Sequence, residues 1–146
     1  MAPPELARQV GHLVLTLDSS ALFALLNRAD PGHAPVLDVL ARDRGPHIVP
    51  AGILAEAAYL VETRYGVQVM DRLLGDLEAG VFTLDCGERD LGRIRALANR
   101  YADLPLGFSD AAVVACAERN GGQVLTLDRR DFGVVAREGT ITVLPG

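Results

Sequence analysis

The chain has 146 residues, 49% of them hydrophobic, with a net charge of −5 and only two cysteines. That size and apolar content suit one ordinary domain with its own core, without disulfide staples. An acidic chain is no generic polyanion binder, and because its 14 basic residues are all arginine, it lacks the lysine that a P-loop or Schiff-base chemistry requires.

Residues 1–11 lack the apolar segment of a secretory signal and read as a flexible lead-in. Residues 12–146 read as a single domain. Leu13–Leu17 is an expected buried strand, with Ser19 or Ser20 as the cap of a helix from Ala21 to about Arg28. Asp30-Pro31-Gly32 marks a turn, Ala34–Arg42 a helix, and His47–Val49 a short strand. Pro50 suits the opening of a helix that carries Ile53, Leu54, Ala57, Leu60 and Val61 at helical spacing and ends near Tyr65-Gly66. A helix over Val67–Ala79 stops at Gly80, and Val81–Leu84 is a third strand. Glu88–Tyr101 is a helix with Leu91, Ile94, Leu97 and Ala98 inward. After a loop, Ser109 caps an alanine-rich helix over Asp110–Arg119, which Gly121-Gly122 ends. Val124–Leu127 and Thr140–Leu144 are the remaining strands.

Short strands alternating with helices imply an α/β/α sandwich with a short, mainly parallel central sheet. The pentapeptide Val-Leu-Thr-Leu-Asp occurs twice, at Val14–Asp18 and Val124–Asp128, with a near copy at Val81–Asp85. The sequences that follow differ, so the repeat reflects the few residue types of buried strands, not duplication. In an open parallel sheet, ligands bind outside the carboxyl ends of the strands, so a strand that ends on aspartate delivers charge there. Two more acids join the candidates: Glu56, flanked by alanines and read as buried, and Asp110, at the start of an apolar helix. Each has a plain structural reading as a turn residue or a helix-dipole partner. Together they could converge on one sheet edge, where mutual repulsion would raise their pKa values unless a hard divalent cation joined them. Mg²⁺ or Mn²⁺ held by such acids activates water for in-line attack at phosphorus. Asp85 reads as a turn residue only. His12, His33 and His47 show no metal spacing.

The segments Leu17-Asp18-Ser19-Ser20-Ala21-Leu22, Ile53-Leu54-Ala55-Glu56, Asp103–Ala111 and Leu125–Phe132 occur in the order and spacing of the PIN-domain family. The chain resembles in particular the VapC ribonuclease toxins of prokaryotic toxin–antitoxin operons. The resemblance implies Asp18, Glu56, Asp110 and Asp128 as catalytic metal-binding acids. Ser20 and Thr126 are implied as supports. Asp131 and Asp103 are further candidate carboxylates, with plainer readings as a support for the loop after Asp128 and as a turn residue. Arg129 and Arg130 are candidate phosphate contacts. Many relatives have a further acid where this chain has Gly107. The resemblance also implies Mg²⁺ or Mn²⁺, an RNA substrate, a VapB-like antitoxin and a homodimer. Cys86 and Cys116, far apart, read as reduced residues of a cytoplasmic protein, and the apolar stretches are too short for a membrane-spanning helix. A PIN nuclease outside such an operon, or a silent PIN-fold interaction module, are the alternatives. A phosphoacceptor protein fits badly: a receiver domain needs a lysine, and the aspartyl phosphatase motif needs an acid where Ser20 stands.

Overall fold

In the computed structural model, which describes residues 14–43 and 45–146, five strands form one parallel sheet in the order β3-β2-β1-β4-β5. They are β1 (Leu15–Leu17), β2 (His47–Pro50), β3 (Thr83–Asp85), β4 (Gln123–Leu125) and β5 (Thr142–Leu144). Seven helices connect and cover them: α1 (Ser19–Leu26), α2 (His33–Arg42), α3 (Ala51–Tyr65), α4 (Val67–Glu78), α5 (Leu91–Arg100), α6 (Gly107–Arg119) and α7 (Arg129–Ala136). The expected α/β architecture with a parallel sheet is what forms. The lead-in at residues 1–11 and His12 lie outside the described residues.

The chain winds from β1 outward to β3, then returns to lay β4 on the other side of β1. This reversal between β1 and β4 opens a crevice at their carboxyl ends, the place where such sheets bind ligands. The register sets Leu17 beside Leu125, so the residues just after each strand, Asp18 and Thr126, face one another across that crevice.

The core explains the alanine run in α6. Residues Ala111 to Ala117 are all buried, and their small side chains let the helix lie close on β1, β2 and β4. Leu15, Leu17, Val49, Ile53, Val113, Leu125 and Phe132 complete the fully shielded interior. No helix of the described residues is long and apolar enough to cross a membrane.

Five local expectations need correction. Ser109 does not cap α6, which starts at Gly107 with no side-chain cap. Asp18 itself caps α1, its side chain accepting from the Ala21 N–H, so the cap is not a serine. A carboxylate two residues earlier outcompetes the hydroxyls for the same orphan donors. The third strand is not a buried central one: β3 is a sheet edge with Thr83 and Leu84 exposed. Helix α5 starts at Leu91, which is 59% exposed instead of inward. The segment after Asp128 is not a loop but helix α7.

Gly122 links the end of α6 to β4. Its φ is +86°, and a Cβ there would stand 2.8 Å from the Thr140 carbonyl oxygen. Its N–H donates to the Ala117 carbonyl and its own carbonyl accepts from Thr142. Gly122→Ala is expected to cost on the order of 1–3 kcal/mol, the usual penalty for a side chain in left-handed backbone, read as a lowered urea midpoint.

Candidate active site

Asp18 leaves β1 at the crevice and is only 5% exposed. Its backbone N–H donates to the Leu125 carbonyl, tying it to β4. One carboxylate oxygen, Oδ1, accepts from Ser20 Oγ at 2.7 Å and from the Ala21 N–H at 3.1 Å. The other, Oδ2, accepts from Thr126 Oγ1 at 2.7 Å. A carboxylate offers about four acceptor positions, so Asp18 keeps one unused position, on Oδ2.

Each hydroxyl in this arrangement donates to Asp18 and accepts from the chain beyond β4. Thr126 Oγ1 accepts from the Asp128 N–H at 2.9 Å, and Ser20 Oγ accepts from the Leu127 N–H at 2.9 Å. The two oxygens lie 3.3 Å apart. Ser20 and Thr126 therefore clasp the ends of β1 and β4 together and fix the rotamer of the acid between them.

Asp128 in turn caps α7 by accepting from the Asp131 N–H at 3.3 Å. That geometry swings Asp131 into the first turn of α7, while Asp110 occupies the first turn of α6. The three carboxylates meet. Oxygens of Asp110, Asp128 and Asp131 all lie within 4.8 Å of one another, half-buried. Of the four acids expected as metal ligands, the structure brings Asp110 and Asp128 together and adds Asp131, expected as a loop support or a fifth carboxylate. Asp18 and Glu56 stand outside this group. Glu56 is exposed, not buried as its alanine neighbours suggested. The signal for Asp131 was legible: an acid three residues after a capping aspartate occupies the N3 position of a capping box.

The electrostatics bear the mark of crowding. Asp110 is pushed up to about 7, first by burial and then by the charges of Asp128, Asp18, Asp131 and Glu56. Burial also raises Asp18, against the pull of its three hydrogen bonds and with a further push from Asp128. Among the described residues, no arginine forms an ion pair with any of these five acids. Oxygen-only donors in this number, lacking protein cations, match the preference of a hard divalent ion.

The remaining candidates sort clearly. Arg129 is engaged, its guanidinium donating to the Pro145 carbonyl, while Arg130 is exposed at the start of α7. Gly107 opens α6 with a φ of +71°. His33 Nδ1 and His47 Nε2 each bond a backbone carbonyl oxygen, of Ala24 and Asp43, at 2.8 Å. Burial pushes the Cys116 thiol up to about 12, which leaves no thiolate nucleophile there. Asp85 does more than turn the chain. Its carboxylate binds the Arg119 guanidinium at 2.6 Å, and Arg119 also holds Asp90 at 2.6 Å. The Arg119 contact keeps Asp85 below the ordinary carboxylate range.

The PIN domain family model matches residues 15–138. Over 135 residues the chain is 34% identical to ribonuclease VapC26 of Mycobacterium tuberculosis (strain ATCC 25618 / H37Rv), spanning 90% of this chain and 100% of that relative. Among solved structures, it superposes on M. tuberculosis VapC20, a sarcin–ricin-loop-cleaving toxin, with a TM-score of 0.73 at 18% identity, covering 82% of this chain and 94% of VapC20. VapBC2 from Rickettsia felis, bound to a DNA fragment from its promoter, gives a TM-score of 0.66 at 16% identity over 90% and 97% of the two chains. FitAcB from Neisseria gonorrhoeae gives 0.59 at 20% identity over 89% and 96%.

Proposed function

The chain belongs to the PIN-domain family and is similar over nearly its whole length to a VapC ribonuclease, and on that premise we propose that it is the endoribonuclease toxin of a toxin–antitoxin pair, dependent on Mg²⁺ or Mn²⁺. The observation that carries this reading is the meeting of Asp110, Asp128 and Asp131 at the switch point of the sheet, without a protein cation paired to them among the described residues.

Asp110, Asp128 and Asp131 would hold the ion. A bound divalent cation supplies Lewis acidity and makes water a competent nucleophile toward a phosphodiester at neutral pH. The chain's own residues do the rest. Ser20, Thr126 and the Ala21 N–H hold the Asp18 carboxylate in one orientation beside the cluster. Asp18 and Glu56 act on Asp110 through charge. Asp110, pushed up to about 7, would give up its proton on holding the ion. Arg130, exposed where Arg129 is tied back, is the better placed of the pair to meet an RNA phosphate.

Partner and state follow the same reading: a VapB-like antitoxin that silences the nuclease, a homodimer, and a cytoplasmic location. A silent interaction module fits less well, since a scaffold gains nothing from acids that repel one another. The purified chain should cleave RNA with Mg²⁺ or Mn²⁺ and stop with EDTA. Expression alone should slow growth, and the small open reading frame expected upstream should relieve it. A protein that leaves every tested RNA intact would return the interaction-module reading; cleavage without growth arrest would favour a nuclease outside a toxin pair.

The clasp gives a separate prediction. Thr126→Val keeps the shape but leaves the Asp128 N–H without its acceptor and Asp18 Oδ2 without its donor. Losing support of this kind typically costs about 10–100-fold in metal affinity or activity. Initial cleavage rates at increasing Mn²⁺ would show it, with Thr126→Ser restoring most of the loss.

A further inference from the structure

A cavity of about 230 Å³ opens at the carboxyl ends of β2 and β3, next to the acidic cluster but not part of it. Gly52, Leu91, Ile94, Phe108 and Ala112 form its apolar walls, and Asp85 stands at one end. The first turn of α6 borders both places, and the first turn of α3 borders the cavity. On α6, Phe108 and Ala112 stand one turn apart toward the cavity, while Asp110 between them belongs to the cluster. On α3, Gly52 backs onto Phe108: a Cβ there would meet Ala112 Cβ at 2.8 Å and Phe108 Cε2 at 3.5 Å. Glu56, one turn further along α3, acts on Asp110.

The lip of this cavity is unusually apolar. Phe108 is 55% exposed and Leu91 59%, though Leu91 holds a position that helical spacing would turn inward. Adjacent large apolar side chains left in water around a concave site mark a place where something binds. Arg119 is shared between Asp85 and Asp90, and Glu88 adds a further carboxylate to the lining, so the cavity suits the uncharged base of a nucleotide and not its phosphate. The chain has few aromatic residues, 5% in all, and this one sits two residues from a cluster acid. A nucleotide whose phosphate lies at the cluster must place its base within a nucleotide's reach of it, and every base has an apolar face that stacks on an aromatic ring.

We propose that this cavity is a nucleobase subsite of the ribonuclease, in which Phe108 stacks on the base of a nucleotide flanking the scissile phosphate. The inference rests on the ribonuclease reading above. Phe108 is a substrate-binding residue here, with no part in holding the ion.

The test uses the full chain free of antitoxin, a single-stranded RNA oligonucleotide that the wild type cleaves with Mn²⁺, and copies of it carrying one abasic residue at successive positions around the cut. Phe108→Leu should lower kcat/KM about tenfold on the intact RNA, mostly through KM, as expected for one lost base–aromatic stack. Phe108→Trp should keep wild-type efficiency. At one flanking position the abasic RNA should lower the wild-type value by a similar factor, and Phe108→Leu should then add no further loss. An unchanged melting temperature for Phe108→Leu, expected of so exposed a ring, keeps the comparison clean. Normal cleavage by Phe108→Leu would overturn the proposal, as would losses that multiply at every abasic position. So would a variant that cleaves normally but resists the antitoxin, which would assign the cavity to a protein partner. A wild type that cleaves no RNA with either cation would instead bring down the ribonuclease reading beneath it.

Discussion

Asp128→Asn is expected to lower RNA cleavage by on the order of 10²–10³-fold, the scale seen when one preorganised electrostatic group is lost from a catalytic site, with the fold intact. Asp128 has two jobs, and the substitution separates them. Asparagine caps helices about as well as aspartate, so the bond from the Asp131 N–H and the start of α7 survive. The charge in the three-acid group does not. Asp18→Asn should be equally damaging for a different reason. Its amide presents an NH₂ group to one of the two sets of donors that now bond Oδ1 and Oδ2, so the clasp loses a partner along with the charge. Glu56→Gln should be the mildest, about tenfold on the same electrostatic grounds, because Glu56 is exposed and stands outside the group. Initial rates on a defined RNA, with far-UV circular dichroism of each variant, check the ranking. An Asp128→Asn protein that cleaves at more than half the wild-type rate would remove the cluster from the chemistry.

The second large effect is on stability and its dependence on pH. Asp110 rises from an ordinary value of 3.8 to about 7 in the folded chain. A carboxyl whose folded pKa is raised binds its proton more tightly in the native state than in the unfolded one. That contribution to stability is complete below the unfolded value, erodes as pH rises, and is gone once pH passes about 7. Asp18 is raised as well and adds in the same direction. Without added cation, the melting temperature should therefore fall between pH 5 and 7.5 by several degrees, on the scale of one perturbed acid in a domain of this size. Mn²⁺ should reverse the fall, and more strongly at pH 7.5 than at pH 5, since protons and the cation compete for the same oxygens. Asp110→Asn should raise the cation-free melting temperature at pH 7.5, flatten the slope and remove most of the response to Mn²⁺. Differential scanning calorimetry on the two proteins at both pH values would reveal it; a wild type whose stability rises from pH 5 to 7.5 contradicts the crowding.

Much of this arrangement could be read from the sequence, because its signals are local. Short β-prone runs, helices with apolar residues at three- and four-residue spacing, and glycine stops fixed the element order. Where the reading failed, the deciding partner was distant or the local signal was degenerate. Alanines around Glu56 fit a buried or an exposed face equally, and the buried stripe of α3 turned out to be Ile53, Ala57 and Val61. Asp85 resembles Asp18 and Asp128 in its strand, yet β3 is an edge, and Arg119, 34 positions away, decides its role. Leu91 has inward spacing but faces an open cavity, which no periodicity can show. Helix α7 was missed because Arg129, Arg130 and Asp131 look like a polar loop. The apolar pair Phe132 and Val135 behind them, both buried, carried the helical period.

Anomalous scattering of manganese, in crystals of the antitoxin-free chain soaked in Mn²⁺ near pH 7.5, would locate the ion. The expected peak is bonded to carboxylate oxygens of Asp110, Asp128 and Asp131, the group already within 4.8 Å of itself, with Asp18 outside the ligand set. A peak ligated by Asp18 and Glu56 without Asp131, or no bound ion at a Mn²⁺ concentration that supports RNA cleavage, would contradict it.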